Sequence, residues 1–465
     1  MLRLFKQYYP IRNIFFVIGE GLFIFFSVLI ASLIPHGQDA FVFDRFLGGK
    51  ILLITLVCQI CLYYNDLYDF KVTDSFSELG IRLLQALGAA AIFLAPVYFL
   101  VPQVVIGTGT FLISIGIVII FIVSWRFFYT LVLDRGIFNE KIILLGSGEL
   151  ADNIQKEIKD TKDCGYTISV LVQEGGEDFN IAEKISPAII CRDNYEDLCK
   201  TAQDLGIQKI VVALKERRNS LPVKELLKCR VEGIEVLEGN SFYEMLTGKL
   251  IVKTINPGWL IFSEGFQKTL TRRFFKRTID LILSLFLLVV FSPLIALIAL
   301  LIKLDSPGPV IFSQERVGRK GRIYRVHKFR SMVKDAEKIS GPVWAQDDDK
   351  RITRVGKIIR KLRFDEIPQL WNVLKGDMSF VGPRPERQGF VEKLEKRIPY
   401  FNERASVKPG ITGWAQVCYG YGASVEDAME KLNYDLFYIK NMSILMDLLI
   451  VLRTIKIVLF RKGSR

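Results

Sequence analysis

The chain has 465 residues, half of them hydrophobic, and a mean hydropathy of +0.29, more apolar than an ordinary soluble protein, so part of it must meet lipid. Two histidines, His36 and His327, exclude a histidine metal cluster, and seven cysteines without a ladder of spacings exclude a disulfide scaffold; acid, base and nucleophile work then falls to carboxylates. The net charge of +13 is lopsided: from Lys268 onward 37 Lys and Arg face 20 Asp and Glu, against 25 and 29 before it, so anionic partners are expected in the last third.

Four apolar stretches, at about 13–34, 49–64, 83–101 and 107–131, approach the ~20 residues that a helix needs to cross a bilayer. They predict an N-terminal transmembrane bundle over 1–135. Basic residues of the tail (Arg3, Lys6, Arg12), the middle loop (Lys71, Arg82) and the exit (Arg126, Arg135, Lys141) favour the cytoplasmic side for all three, although Arg45 and Lys50 dilute the bias. The first stretch lacks a small-residue cleavage pattern and is read as a retained helix. The spans are expected to lack the buried charges that mark a solute path, which counts against a transporter.

From Lys141 the pattern changes to short apolar runs, KIILLGSG, ISVLVQE, PAIICRD, QKIVVALKE and EGIEVLEG, alternating with helical ELADNIQKEIKD and YEDLCKTAQDLG. Such alternation predicts a parallel, doubly wound sheet over 139–255. Gly146, Gly148 and Ala151 make a G-x-G-x-x-A turn, which in a Rossmann-like domain lets backbone amides approach a phosphate. No acidic ribose ligand closes a second βαβ unit, so a tight turn without a nucleotide explains the motif at least as well. A regulatory or assembly domain is expected; whether it binds a nucleotide or joins two copies in a homodimer stays open.

The third part, 268–465, opens with basic TRRFFKR, runs through an apolar segment and resumes basic residues at Arg316, Arg319 and Lys320. Positive flanks on both ends, and the parity of four preceding spans, predict a re-entrant membrane helix at about 279–303 rather than a fifth crossing. Ser292 and Pro293 supply the break: proline deletes a helix hydrogen bond and a serine hydroxyl can satisfy a freed carbonyl. Arg272, Arg273, Lys276 and Arg277 are assigned to lipid headgroups. Helical pieces are predicted near 331–338, 351–363 and 386–398. In the tail, Asp447, Arg453 and Lys456 interrupt an apolar run, the pattern of an interfacial helix.

The densest group of reactive side chains is RKLRFDEIPQLWNVLKGDMSFVGPRPE, Arg360 to Glu386. It resembles the signature of the bacterial polyprenyl-phosphate phosphoglycosyl transferases of the monotopic superfamily. SPGPVIFSQERVG from Ser306, KFRSM from Lys328, DDDKRITRVGKIIRK from Asp347 and KPGITGWAQV from Lys408 match in the expected order. The layout is similar to the long branch that starts exopolysaccharide or O-antigen repeat units, and NPGWLIFSEGF resembles an exopolysaccharide-associated subgroup. The fold class implied is membrane α plus α/β, with a mainly α-helical catalytic domain at the C-terminus.

The resemblance implies that Asp365 of the Asp365-Glu366 pair attacks a nucleotide sugar, with UDP as the expected nucleotide, releases UMP and keeps a phosphosugar that polyprenyl phosphate then removes. It also implies Mg²⁺, a bacterial inner membrane and a cytoplasmic catalytic face. The chemistry is sound on its own terms: a carboxylate can form an acyl phosphate, and a neighbouring carboxylate can help hold Mg²⁺ against diphosphate oxygens. Arg360 and Arg384 are candidates for clamping phosphate, with Pro383 and Pro385 fixing the backbone around Arg384. Lys328, Arg330 and Gln416 match family blocks and are expected to shape the site. Arg363-Phe364 departs from the small hydroxyl residues that many members carry before the pair, which touches sugar preference. A competing reading is a membrane-anchored, nucleotide-sensing regulator or scaffold of polysaccharide assembly. A nucleic-acid partner is not expected, since basic charge is its sole support.

Overall fold

The computed structural model of the chain describes residues 2–4, 7–9, 11–36, 46–68, 76–106, 108–134, 139–161, 164–173, 188–191, 198–214, 221–253, 255, 257–263, 265–266, 269–333, 351–420, 422 and 424–460. These form two compact units that divide in the chain between Phe242 and Tyr243.

The first unit begins with helices α1 (Ile11–His36), α2 (Leu47–Tyr64), α3 (Phe76–Leu100) and α4 (Thr108–Asp134). Over Ile14–Ile34, Leu47–Tyr64, Ser77–Leu100 and Thr110–Val132 all four are long and apolar enough to cross a membrane, so the chain is that of a membrane protein. Ile24, Leu62, Leu83 and Ile122 pack inward, while Phe15, Leu52, Phe93 and Leu112 are exposed; apolar residues on both faces are what a lipid-bathed helix carries. Two charges lie between these helices, which corrects the expectation that the spans bury none. Glu20 of α1 is 0% exposed and Arg126 of α4 is 5% exposed. Arg126 Nη2 lies 2.7 Å from Glu20 Oε1, and its Nη1 donates to the carbonyl of Leu67. Arg126, expected as a flanking charge, is thus an internal tie between the first and last helices, because a guanidinium away from water must find a partner.

The same unit contains a five-stranded parallel sheet of β1 (Glu140–Leu145), β2 (Tyr166–Gln173), β3 (Ala188–Cys191), β4 (Lys209–Val212) and β5 (Glu235–Glu238), in the order β3-β2-β1-β4-β5. Ile142 to Leu145 are completely buried, as a central strand covered on both faces requires. The Gly146–Gly148 turn leads from β1 into helix α5 (Glu149–Asp160), and α6 (Leu198–Asp204) and α7 (Val223–Val231) complete the doubly wound layers. Cys58, Cys61, Cys164, Cys199, Cys229 and Cys418 are free thiols.

In the second unit, Leu250, Val252 and Ile255 join Trp414, Phe437, Tyr438 and Met446 in one core. Helices α8 (Leu270–Val290) and α9 (Ser292–Asp305) are bent by 61° at their junction. Ser292 Oγ donates to the carbonyl of Val289 at 2.8 Å, and Pro293 stands in the first turn of α9, where its missing N–H costs nothing. The antiparallel hairpin β6 (Ile311–Val317) and β7 (Ile323–Phe329) follows, with Ile311 opposite Phe329 and Val317 opposite Ile323. Then come α10 (Arg354–Lys361), α11 (Gln369–Lys375), β8 (Ser379–Val381), α12 (Gln388–Glu395), β9 (Gly410–Thr412), α13 (Val425–Asn441) and α14 (Ile444–Phe460). The helix expected near 331–338 is not found over residues 331–333, where Met332 instead bridges Ile352; residues 334–338 and 347–350 lie outside the described residues.

Candidate active site

The carboxylate pair sits in a single tight turn, Phe364–Glu366, between α10 and α11. Both helices are anchored before the turn begins. Thr353 caps α10 by accepting from Gly356 N at 3.0 Å, and Asp305 at the end of α9 accepts from Val355 N at 3.1 Å, while Ile359 packs against Ile298, Ile302 and Phe329. On the other side, Asn372 of α11 is fully buried. Its Nδ2 donates to Arg325 O at 2.7 Å and its Oδ1 accepts from His327 N at 3.0 Å, which bolts α11 to β7. Arg363 makes the transition with φ of 55°, a left-handed conformation that costs a non-glycine residue free energy and tends to persist at functional sites.

The bolt on β7 sets Lys328 beside the turn. Lys328 Nζ donates to Glu366 Oε1 at 2.7 Å, and Arg384 Nη2 donates to the same oxygen at 2.9 Å. Asp365 accepts no hydrogen bond from any described residue, and Arg360 at the end of α10 acts on it through charge. The two carboxyls are consequently driven apart. Burial, then the negative charge of Glu366, push the Asp365 carboxyl up to about 6. Burial also opposes charge on Glu366, but Lys328 and Arg384 outweigh it and hold that carboxyl well below the usual range. Glu366 is thus held toward its anion by two cations, while Asp365 is raised and accepts no hydrogen bond from a described residue.

Arg384 is aimed from behind. Strands β8 and β9 form a parallel ladder pairing Ser379 with Gly410 and Val381 with Thr412; Gly382 N donates to Thr412 O and Gly410 N to Pro383 O, each at 2.9 Å. The backbones approach so closely that a Cβ on Gly410 would lie 2.1 Å from Gly382 N, so the GPRP and KPGITG motifs are two sides of one clasp. Arg404 Nη2 donates to Arg384 O and to Asp435 Oδ2, both at 2.9 Å, and Arg316 Nη1 donates to Pro385 O at 3.1 Å. Burial pushes the Asp435 carboxyl up to about 6 against the pull of Arg404.

Of the residues singled out in the sequence, Asp365, Glu366, Lys328 and Arg384 come together, with Arg360 close enough to act by charge and Pro383 and Pro385 forming the turn. Arg330 lies elsewhere: it donates to Ser306 O at 2.6 Å and Pro307 O at 3.0 Å, stapling the exit of α9. Gln416 donates to Ile411 O at 3.2 Å and braces β9. Ser292 and Pro293 mark the bend of α8 and α9. Two headgroup assignments are corrected. Lys276 pairs with Asp447 at 2.7 Å and donates to Val381 O at 3.0 Å, and Arg277 donates to Val373 O and Leu374 O at 2.6 and 2.7 Å, because the C-terminal carbonyls of α11 need donors. Arg404 and Asp435 escaped the sequence reading, and Arg316 entered it only as a flanking charge: their contacts span 20, 31 and 69 residues of chain, so no local pattern announces them. Among the described residues no group of three or more His, Cys, Asp or Glu gathers, so any divalent ion here would rest on the pair and on substrate oxygens.

The profile of the family described as Bacterial sugar transferase matches residues 271–461. The chain is 45% identical over 240 residues to the UDP-N-acetylgalactosamine-undecaprenyl-phosphate N-acetylgalactosaminephosphotransferase of Aeromonas hydrophila, covering 52% of this chain and 56% of that protein; it thus spans little more than half the length of this relative. It is 30% identical over 343 residues to the undecaprenyl-phosphate galactose phosphotransferase of Salmonella typhimurium, covering 71% and 70% of the two chains. It is 42% identical over 185 residues to the exopolysaccharide production protein PSS of Rhizobium leguminosarum, covering 39% of this chain and 92% of that one. With a dyad turn, a clasped arginine and relatives such as these, the chain belongs to the bacterial sugar transferase family.

Proposed function

We propose that this protein transfers a sugar 1-phosphate from a UDP-sugar to polyprenyl phosphate, in two steps through Asp365. The observation that carries this reading is the asymmetry of the pair: Glu366 is held by Lys328 and Arg384 while Asp365 accepts no hydrogen bond from a described residue. In the first step the Asp365 carboxylate attacks the phosphorus bearing the sugar. The bond to the bridging diphosphate oxygen breaks, and UMP departs with its electron pair. In the second, an oxygen of polyprenyl phosphate attacks the same phosphorus and the carboxylate leaves, giving polyprenyl-diphosphate-sugar. Splitting one transfer into two suits a carboxylate nucleophile. Arg384 and Arg360, whose charges reach Asp365, would neutralise phosphate oxygens as charge shifts.

Mg²⁺ fits the donor chemistry, since it is usually held by one or two carboxylates together with substrate phosphates. Asp365 and the second oxygen of Glu366 would hold it, and it would offset the diphosphate charge. In this reading the protein resides in a bacterial inner membrane. The α8–α9 bend turns the chain back to the cytoplasmic side, which keeps the dyad where nucleotide sugars are made, a placement supported by the basic flanks. The name of the Rhizobium relative, an exopolysaccharide production protein, supports a role in exopolysaccharide production.

The test is mass spectrometry of the full-length protein after incubation with Mg²⁺ and a UDP-sugar panel beginning with UDP-N-acetylgalactosamine, without polyprenyl phosphate. A sugar-phosphate mass on the peptide containing Asp365, absent in Asp365→Asn and discharged by polyprenyl phosphate, is expected. Turnover by Asp365→Asn without any adduct would refute the assignment.

A further inference from the structure

We propose that Arg319 and Lys408, beside Arg277, form a pocket for a phosphate carried on a lipid, separate from the phosphate contacts of the dyad. The proposal rests on the preceding reading in one respect, that α8 and α9 enter a bilayer.

Three observations converge. First, the donors lack partners. Arg319 Nε is buried without a hydrogen bond, and the Lys408 ammonium makes no hydrogen bond or ion pair with a described residue. Natively buried donors are seldom left so. Second, the set is cationic at close quarters. A Cβ placed on Gly376 would lie 3.6 Å from Lys408 Nζ and 3.5 Å from Arg277 Nη2, so the absence of a side chain there keeps both nitrogens uncovered. Burial, then the neighbouring charges of Arg277 and Arg319, pull the Lys408 ammonium below its ordinary range, with Asp280 and Asp377 opposing. Those two carboxylates have other duties: Asp280 accepts from Ser379 Oγ and Phe380 N at 2.8 and 3.0 Å, and Asp377 lies 3.6 Å from Lys375. Donors of one sign select an anion rich in acceptor oxygens, as a phosphate is.

Third, the pocket stands at the foot of the apolar helix pair. Arg277 belongs to the second turn of α8, and Ile282, Leu285, Phe286 and Val289 further along that helix are all more than half exposed. When these residues occupy hydrocarbon, the level of Arg277 and Lys408 is that of lipid phosphates. The charges felt by Asp365 and Glu366 come chiefly from Lys328, Arg360, Arg363 and Arg384, so the nucleotide's phosphates have their own cations. The phosphate could be borne by a bilayer phospholipid or by polyprenyl phosphate, and the chemistry of recognition is shared.

The experiment is native mass spectrometry of the full-length protein in mild detergent, titrated separately with phosphatidylglycerol, polyprenyl phosphate, phosphate-free diacylglycerol and UDP-N-acetylgalactosamine. Lys408→Met and Arg319→Gln should each weaken binding of a lipid phosphate about tenfold, the loss expected for one charge-assisted contact, and Lys408→Arg should restore most of it. Whichever phosphate lipid is affected names the source. Unchanged affinity for both phosphate lipids overturns the proposal, as does an equal loss for diacylglycerol or a loss confined to the nucleotide sugar. Lys408→Arg and an unaltered unfolding midpoint separate loss of the site from loss of the fold. Because the readout needs no turnover, a missing Asp365 adduct would remove the two-step reaction and leave this pocket to be judged on its own.

Discussion

The pH dependence of the first chemical step can be worked from the dyad. In the proposed reaction only the ionised Asp365 would attack, and burial with the charge of Glu366 raises its carboxyl to about 6. The ionised fraction is then about nine-tenths at pH 7 and about one-tenth at pH 5, so single-turnover formation of the phosphosugar adduct should slow about tenfold across that interval. An unshifted carboxylate would show almost no change. Glu366→Gln removes a neighbouring negative charge and frees Lys328 and Arg384 to act on Asp365, so the midpoint should move to lower pH even as the plateau rate falls. The sign for stability is opposite to that for activity. Between the ordinary value of 3.8 and about 6 the native state binds more of the Asp365 proton than the unfolded state, so stability from this group declines as pH rises through that window. Rapid-quench adduct measurements from pH 5 to 8, with one UDP-sugar and no lipid acceptor, supply the curve. A flat profile down to pH 5, or a midpoint raised by Glu366→Gln, would refute the electrostatic account.

Arg404→Met should leave the dyad intact but release the carbonyl of Arg384, lowering kcat by about tenfold at nearly constant KM for the nucleotide sugar, with partial recovery in Arg404→Lys; a drop confined to protein yield would make the residue merely structural. Gly410→Ala forces a Cβ to within 2.1 Å of Gly382 N and should cost about 1–3 kcal/mol, read as a lower unfolding midpoint in detergent together with lost turnover. Glu20→Gln or Arg126→Met should each destabilise the helix bundle by about 3–5 kcal/mol, while the double replacement costs less than the sum; additive losses in a double-mutant cycle would deny that the two side chains are coupled.

Much of this architecture could be read in advance because it depends on local pattern. Helix length in α1–α4, strand and helix alternation around β1, and the Ser292-Pro293 break each follow from neighbouring residues, and the motif block located the dyad. What stayed hidden depends on contacts between distant segments. Nothing near Arg126 announces that it pairs with Glu20, 106 residues away. The basic residues of TRRFFKR look alike in sequence, yet Lys276 and Arg277 turn inward, to Asp447 and to the carbonyls at the end of α11. Arg330 sits in a matching block beside Lys328, but on emerging from β7 it meets the exit of α9 instead of the dyad. The helix expected near 331–338 failed at its start because residue 332 pairs with 352 across the chain.

The clasp between β8 and β9 has an evolutionary corollary. Its ladder pins both ends of the loop running from Gly382 to Pro409, so the spacing of the two motifs in three dimensions is independent of how much chain lies between them. The outer helix α12, which buries none of its residues, is therefore a place where lineages can lengthen, shorten or decorate the protein while Arg384 keeps its aim. A one-residue slip of the three-residue ladder would carry Arg384 away from Glu366. Freedom for the chain between the motifs and a fixed pairing of the motifs themselves would then be two expressions of one hydrogen-bonded fastening.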